Sequence, residues 1–222
     1  MKHTKNIKAV IFDLDGVIVD SEPLNDMHFP AYLKKMGVTI TQDFLDRFRG
    51  TSSKTQWTYL KKEFNLKPPL ETLMANSSKD YFSFLLAIPD LKSMPGLTEF
   101  IEQLRQLALQ LAVGSSASKK RIDMILDRLK IGKHFSVIVS GHDVSEAKPE
   151  PDIFLLAAKR MNVHPSSCIV IEDAMNGVIA AKRAGMKCIG YAGAANNKQD
   201  LSGADLIIDN FANASVETLH TL

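Results

Sequence analysis

Short apolar runs recur along the chain and alternate with longer segments of mixed polarity. The runs are rich in Val and Ile, and several of them stop abruptly at polar residues. Runs of this kind are typical of β-strands. The predicted strands are residues 7–12, 109–113, 136–140, 168–171, 187–191 and 206–209.

Between the strands, apolar residues follow the spacing of a helix that is apolar on one face. Two such segments contain Leu97, Phe100, Ile101, Leu104 and Leu107, and Ile122, Ile125, Leu126 and Leu129. Two further helices are predicted from Pro151 to Met161 and from Ala174 to Ala184. Strands that alternate with helices predict an α/β fold with a doubly wound, Rossmann-like and mainly parallel sheet.

Residues 20–92 interrupt this alternation, because they contain four helical segments and no predicted strand. Pro30 lies inside the first of these helices and is expected to kink or break it. We therefore expect a core domain of residues 1–19 and 93–222 and an inserted helical domain of residues 20–92. The alternative is that these helices only cover the sheet.

Composition and charge exclude several classes of protein. A hydrophobic content of 45% excludes a disordered chain, and a formal net charge of +2 is too small for a nucleic-acid-binding protein. The basic run Lys119, Lys120 and Arg121 is explained equally well as the solvated start of a helix. No apolar run approaches the roughly 18 residues of a membrane span, and the first residues do not form a signal peptide. We expect a monomeric cytoplasmic protein with no nucleic-acid or membrane partner.

The first predicted strand ends in two acids, Asp13 and Asp15, which are followed by Gly16. Residues two apart in a strand point to the same face, so both carboxylates leave one side of it. Two adjacent carboxylates suit a divalent metal, and one of them can attack an electrophile. The plainer alternative is a surface turn. An EF-hand calcium loop is excluded, because its glycine stands at the sixth position and the loop follows a helix.

Polar residues also follow three other predicted strands. The second strand leads into Ser115 and Ser116, and the fourth ends in Glu172 and Asp173. The loop after the third strand carries Lys148, which is followed by Pro149 and Pro151. Taken singly, these residues are explained as a strand-end hydroxyl, a helix cap and an exposed lysine. Because ligands of open α/β sheets bind at the carboxyl ends of the strands, together they predict one site.

These four motifs resemble, in residue type, order and spacing, those of the haloacid dehalogenase superfamily, and the resemblance covers essentially the whole chain. Residues 19–24 and 148–154 are similar to the branch that contains sugar-phosphate phosphatases and β-phosphoglucomutases. The resemblance implies that the inserted domain is a small helical cap of the C1 type. A mobile lid of this kind would exclude water from the site and select the substrate.

The resemblance also implies a metal and a nucleophile. Mg²⁺ would be held by the carboxylates of Asp13 and Asp173 and the backbone carbonyl of Asp15, with Glu172 binding directly or through water. Asp13 would attack phosphorus and form an aspartyl-phosphate. Asp15 would protonate the leaving oxygen and then take a proton from the water that hydrolyses the intermediate.

Further residues are implied to contact the substrate. Ser115 would donate a hydrogen bond to a phosphoryl oxygen, and Ser116 is the alternative residue for this role. Lys148 would neutralise the charge on the phosphoryl group. Residues 47–54 resemble the family's substrate-specificity loop, in which Arg49 and Gly50 are the candidate substrate-binding residues. A solvated turn between two helices explains that loop equally well.

Asp15 narrows the range of possible reactions to those of phosphate esters, because dehalogenases of the superfamily lack an acid two residues after the nucleophile. The implied activity is a phosphatase for a small phosphorylated metabolite, with sugar phosphates ahead of nucleotides. A β-phosphoglucomutase-type phosphohexomutase is the alternative. Those mutases carry a cap histidine and arginine, whose positions are occupied here by Asn25 and Ser53, and His28 could substitute only in part. A non-catalytic phosphometabolite-binding protein is less favoured, since every expected catalytic position is filled.

Overall fold

The computed structural model describes residues 7–48, 51–194, 198–214 and 219. The chain divides into two compact units, one of Met1–Asp20 with Leu91–Leu222 and the other of Ser21–Asp90. The first unit contains a β-sheet and the second is helical. Within the described ranges, no helix combines the length and the apolar character needed to cross a membrane.

The Ser21–Asp90 unit packs its helices around an apolar core. The helices are α1 (Glu22–Lys35), α2 (Gln42–Phe48), α3 (Ser53–Glu63) and α4 (Leu70–Ala87). The buried ring of Trp57 lies 5.7 Å from the ring of Phe29 and 6.2 Å from that of Tyr32, both in edge-to-face contacts. These contacts join α3 to α1, so aromatic burial stabilises the unit.

Helix α1 runs through Pro30 without a break. Of the two expected effects, a break at this residue is therefore wrong, and a kink stays a prediction. The neighbouring Phe29 and Leu33 are buried in the apolar core of the unit. Their packing offsets the backbone hydrogen bond that a proline cannot donate, because tertiary burial supplies most of the stability of a helix in a protein.

Within the described part of the other unit, six parallel strands form one sheet in the order β3-β2-β1-β4-β5-β6. The strands are β1 (Ala9–Phe12), β2 (Gln110–Ser115), β3 (Val137–Ser140), β4 (Cys168–Glu172), β5 (Lys187–Tyr191) and β6 (Leu206–Ile208). The predicted α/β fold with a doubly wound parallel sheet is confirmed. The order places β1 inside the sheet, between β2 and β4.

Helices cover both faces of this sheet. They are α5 (Leu97–Gln106), α6 (Lys119–Arg128), α7 (Asp152–Met161) and α8 (Met175–Arg183). Ile11 of β1 lies in one apolar cluster with Phe154 of α7 and Val178 of α8. The ring of Phe12, the next residue, contacts that of Phe100 of α5 at 6.4 Å. Successive residues of β1 thus face different helical layers, which explains why the strand is apolar throughout.

The last residue of β1 is paired with both neighbouring strands, which continue for one or two residues beyond it. Phe12 is paired with Val113 of β2 and with Ile171 of β4. The residues that follow these three positions therefore reach the same edge of the sheet, where the predicted site residues lie.

Candidate active site

Asp13 directly follows the buried strand β1, and only 7% of its surface is exposed. Its backbone N–H donates to the carbonyl oxygen of Ile171 at 3.0 Å. This bond continues the pairing of β1 with β4 by one residue, and it fixes the point at which the Asp13 side chain leaves the sheet. The carboxylate is thus held by the most buried part of the fold.

Lys148 reaches the same point from the loop between β3 and α7. Its Nζ donates to Asp13 Oδ1 and Glu172 Oε1, both at 2.5 Å, and to the carbonyl oxygen of Gly114 at 3.1 Å. The Nζ atom also lies 4.8 Å from the centre of the Phe154 ring. Burial alone would lower the pKa of Lys148, but the two carboxylates raise it above its ordinary value, so the side chain stays charged.

Three carboxylates crowd together at this edge. Oxygens of Asp13, Glu172 and Asp173 all lie within 4.8 Å of one another. Burial raises the pKa of Asp13 to about 7, although Lys148 opposes the rise, and the neighbouring carboxylates add to it. The pKa of Asp173 is raised for the same reasons, burial first and the nearby carboxylates second. A hard divalent cation such as Mg²⁺ fits this set of oxygen ligands, because it would offset their repulsion.

Gly16 brings Asp173 against the turn that follows Asp15. Its φ of +74° lies in the left-handed region that favours glycine. A Cβ at this position would lie 1.9 Å from Asp173 Oδ2. The glycine therefore permits both the turn and the close approach of the Asp173 carboxylate.

Glu172, the last residue of β4, packs against Gly177 of α8. Its Oε2 accepts the backbone N–H of Ala174 at 3.2 Å, while Oε1 accepts from Lys148. Ala174 is the N-cap residue of α8, so the Glu172 side chain accepts a backbone N–H at the start of that helix. The role of Gly177 was not predicted from the sequence. Its signal is a glycine inside a predicted helix, which costs about 1 kcal/mol relative to alanine and calls for a packing reason.

The two serines after β2 differ in their surroundings. Ser115 is the last residue of β2 and is buried, and its Oγ accepts the backbone N–H of Ala117 at 3.2 Å. Ser116 is exposed and lines a cavity of about 130 Å³ together with His142 and Lys148. Ser115 therefore belongs to the edge of the sheet, whereas Ser116 lies beside the lysine loop.

Asp15 is paired with a residue that sequence reasoning missed, Arg121 of α6. Arg121 Nη2 donates to Asp15 Oδ2. Lys119, in the same basic run, instead pairs with Asp123 of its own helix at 2.7 Å, and both side chains are exposed. The interpretation as a solvated helix start thus holds for Lys119 and is wrong for Arg121. No local signal marks the contact, because 106 positions separate Arg121 from Asp15.

Of the candidate residues of the helical unit, the structure describes Asn25, His28 and Ser53. Arg49 and Gly50 lie outside the described residues. Asn25 and Ser53 are exposed. His28 is buried, and its Nε2 lies 2.8 Å from Asp80 Oδ2. The His28 side chain is thus engaged within its own unit.

Comparisons with known proteins agree with these motifs. A family model described as haloacid dehalogenase-like hydrolase matches residues 10–191. The phosphorylated carbohydrates phosphatase of Thermotoga maritima is 35% identical over 189 residues, which are 82% of this chain and 84% of that protein. The β-phosphoglucomutase of Bacillus subtilis is 30% identical over 227 residues, with 96% and 94% covered. The solved structure of Clostridium difficile β-phosphoglucomutase is 29% identical, has a TM-score of 0.80 and covers 97% of this chain and 96% of its own.

Proposed function

Because the chain belongs to the haloacid dehalogenase-like hydrolase family, we propose that it is a magnesium-dependent phosphatase. Its substrate is a small phosphorylated metabolite, a sugar phosphate, and the reaction passes through an aspartyl-phosphate on Asp13. One observation carries this proposal. The buried carboxylate of Asp13 is held by Lys148 at 2.5 Å, at a sheet edge where it shares its surroundings with the acids Glu172 and Asp173.

The relatives support hydrolysis of a phosphate ester. The match to the family model confirms the predicted family and the predicted hydrolase class. One relative is named a phosphorylated carbohydrates phosphatase, and the sugar-phosphate substrate is inferred from that likeness. Asp15 agrees with it, because dehalogenases of this superfamily lack an acid at the corresponding position.

Asp13 acts as the nucleophile in this proposal. Its carboxylate attacks phosphorus, the bond from phosphorus to the leaving oxygen breaks, and an acyl phosphate forms. Water then attacks the same phosphorus atom and releases both inorganic phosphate and the Asp13 carboxylate. The Lys148 ammonium holds the carboxylate in place and offsets part of the negative charge of the phosphoryl group.

Asp15 acts as the general acid and base, and Ser115 as a phosphoryl contact. Asp15 gives a proton to the leaving oxygen and later takes one from the attacking water, which contributes about 10²- to 10⁴-fold to the rate. The Ser115 hydroxyl accepts one backbone hydrogen bond in the structure. Its own hydrogen remains to be donated to a phosphoryl oxygen. Ser116 keeps the role of an alternative contact.

Mg²⁺ would be held by the carboxylates of Asp13, Glu172 and Asp173 together with the backbone carbonyl of Asp15. Among the described residues, the contacts at this edge involve two cations, Lys148 and Arg121, and four carboxyl groups, those of Asp13, Asp15, Glu172 and Asp173. When all four carboxyl groups are ionised, this set of six side chains has two negative charges in excess. That excess matches the charge of one divalent cation. When bound, Mg²⁺ supplies positive charge that offsets the repulsion between Asp13 and the phosphoryl oxygens.

We also propose that residues 20–92 act as a cap domain over this site. The described part of that region forms a compact helical unit with its own apolar core. A compact unit inserted directly after the nucleophile motif suits a lid that selects small substrates. Arg49 and Gly50 keep their proposed role as substrate contacts in this cap.

A β-phosphoglucomutase-type phosphohexomutase is the second candidate, because the B. subtilis enzyme of that name matches 96% of this chain. Asn25 and Ser53 stand where the mutases carry a cap histidine and arginine. In those mutases the two cap residues manage proton transfer and the distal phosphate, so their replacement here favours hydrolysis.

Phosphate release from a panel of sugar phosphates, with and without Mg²⁺, tests the proposal. We expect magnesium-dependent release by the wild-type protein and none above background from Asp13→Asn. Equal rates from the two proteins would reject Asp13 as the nucleophile. Incubation with β-glucose 1-phosphate and a bisphosphate primer separates the candidates, since only a mutase accumulates the 6-phosphate isomer. Binding of a sugar phosphate without any turnover would identify a non-catalytic protein.

A further inference from the structure

The two oxygens of the Asp15 carboxylate have different surroundings. Arg121 Nη2 donates to Oδ2, whereas Oδ1 is buried and has no hydrogen-bond partner among the described residues. A buried polar atom without a partner is destabilising, because it loses its hydrogen bonds to water and gains none in the protein. Atoms of this kind are rare in folded proteins, and each one calls for an explanation.

We propose that Arg121 is a positioning residue for proton transfer by Asp15. Arg121 holds Oδ2 and thereby fixes the plane of the carboxyl group that exchanges protons with the substrate. As the bond from phosphorus to the leaving oxygen breaks, a proton moves from the Asp15 carboxyl group to that oxygen. When water later attacks the aspartyl-phosphate, the Asp15 carboxylate takes a proton from the water. The inference rests on the proposed phosphatase function, in which Asp15 is the general acid and base.

The backbone of Arg121 is well placed for this role. Arg121 lies in the first turn of α6, and its N–H donates to the carbonyl oxygen of the N-cap residue Ser118 at 2.9 Å. The side chains of Arg121 and Asp15 are 20% and 35% exposed, so the ion pair is partly shielded from water. A capped helix therefore carries the cation that reaches Asp15, and the pair is more ordered than one between two flexible surface side chains.

The chemistry of the guanidinium group indicates that Arg121 orients the Asp15 carboxylate and does not act through its positive charge alone. Arginine presents its donors in a planar fork, whereas lysine is a compact charge on a flexible stem. Arg121→Lys keeps the charge near Asp15 but does not hold the plane of the carboxylate. A comparison of Arg121→Lys with Arg121→Gln therefore separates the two contributions.

Two esters with different leaving groups test the proposal. The oxygen of p-nitrophenyl phosphate leaves as a weakly basic phenolate, which needs little help from an acid. The oxygen of a sugar phosphate leaves as a strongly basic alkoxide, which needs a proton in the transition state. Steady-state kcat and KM are measured on both esters for wild type, Arg121→Gln, Arg121→Lys, Asp15→Asn and the double variant Asp15→Asn/Arg121→Gln.

We expect Arg121→Gln to lower kcat/KM on the sugar phosphate by about 10- to 100-fold, because kcat/KM reports the step in which the leaving oxygen departs. On p-nitrophenyl phosphate we expect a decrease in kcat/KM of less than about threefold. Arg121→Lys should fall between Arg121→Gln and wild type on the sugar phosphate. The double variant should be no slower than Asp15→Asn, because Arg121 acts only through Asp15.

Arg105→Gln is the matched control. Arg105 is also an arginine paired with a carboxylate, Glu102, at 3.0 Å, but it lies on the exposed surface of α5. It should leave kcat on both esters unchanged. Thermal unfolding of each variant shows whether it is folded, and Arg121→Lys serves for the comparison of the two esters if Arg121→Gln does not fold.

Equal losses of kcat/KM on the two esters, or a double variant whose loss is the product of the single losses, would overturn the proposal. Equal losses of this kind are expected of a residue that contacts the phosphoryl group, which both esters share. A wild-type protein that hydrolyses neither ester rejects the phosphatase function itself. A wild-type protein that hydrolyses both, with variants that show no difference between the esters, rejects only the role of Arg121.

Discussion

The carboxyl group of Glu172 occupies the space that a side chain at residue 177 would fill. A Cβ added at Gly177 would lie 1.9 Å from Glu172 Cδ and from Glu172 Oε1. The same carboxyl group accepts a hydrogen bond from Lys148, which also holds Asp13. Gly177 of α8 thus sets the position of Glu172, and through Lys148 that of Asp13, the proposed nucleophile.

We expect Gly177→Ala to displace Glu172 and to lower kcat by about 10²-fold, because a shift of about 1 Å at a catalytic site has this effect. Overpacking should also lower the free energy of unfolding by about 1–3 kcal/mol. Gly132→Ala is the control, since a Cβ there meets its nearest atom at an ordinary 3.6 Å. Sugar-phosphate kinetics and urea unfolding measure both effects. Wild-type kcat in Gly177→Ala would contradict the dependence of the site on this glycine.

Lys148→Met removes the cation that two buried carboxylates share. Asp13 and Glu172 would then lie unpaired beside each other, and breaking a buried ion pair costs about 3–5 kcal/mol. Lys119→Met removes an exposed lysine paired on the surface of α6, for which we expect less than about 1 kcal/mol. Urea unfolding of the metal-free proteins compares the two. A loss in Lys148→Met no larger than that in Lys119→Met would show that the buried ion pair does not stabilise the fold.

Magnesium affinity should rise with pH. Burial raises the pKa of Asp13 to about 7 in the metal-free protein, against the opposing effect of Lys148. Below that pH the carboxyl group is protonated and must lose its proton to bind the cation, so affinity falls as the pH falls. Well above it the Asp13 carboxyl group has no proton to release, and its contribution to the pH dependence levels off. Titration calorimetry in buffers of different ionisation enthalpy measures the proton release, which should be smaller in Asp13→Asn but not absent, because the pKa of Asp173 is raised as well. An affinity that stays constant across neutral pH would contradict the raised pKa.

Asp205 should stabilise the fold except at low pH. Burial alone would raise the pKa of Asp205, but hydrogen bonds from Lys182, Lys187 and the backbone N–H of Cys188 lower it to about 2. The native state therefore favours the ionised form, and its contribution is present above the unfolded pKa of about 3.9. It is lost as the pH falls from there through the folded value.

Asp205→Asn should lower the free energy of unfolding by about 1–3 kcal/mol at neutral pH, since charged partners lose their acceptor. The difference from wild type should shrink as the pH falls below about 4. Urea unfolding at several pH values measures this. Asp123→Asn, which removes an exposed carboxylate on α6, is the control. A difference that does not change with pH would show that the charge of Asp205 is not the source of the effect.

Much of the fold was predictable from local patterns. Strands appear as apolar β-branched runs and helices as residues spaced three and four apart, because both periods follow from backbone geometry. The same patterns placed Asp13, Ser115 and Glu172 at strand ends. The expected kink or break at Pro30 was wrong as far as a break is concerned, since the local rule for proline does not include the burial of Phe29 and Leu33.

The sequence by itself determined which segments become strands and helices, and which polar residues end the strands, because these properties depend on neighbouring residues. Only the tertiary structure decided the strand order and three contacts of the site: Lys148 with Asp13, Arg121 with Asp15, and Gly177 with Glu172. Lys148 and Arg121 lie 135 and 106 positions from their partners, and no local period reports such a distance. Gly177 is near Glu172 in sequence, but its role depends on how α8 packs against the end of β4. Contacts of this kind exist only once separate elements have packed together, since packing brings the side chains within reach.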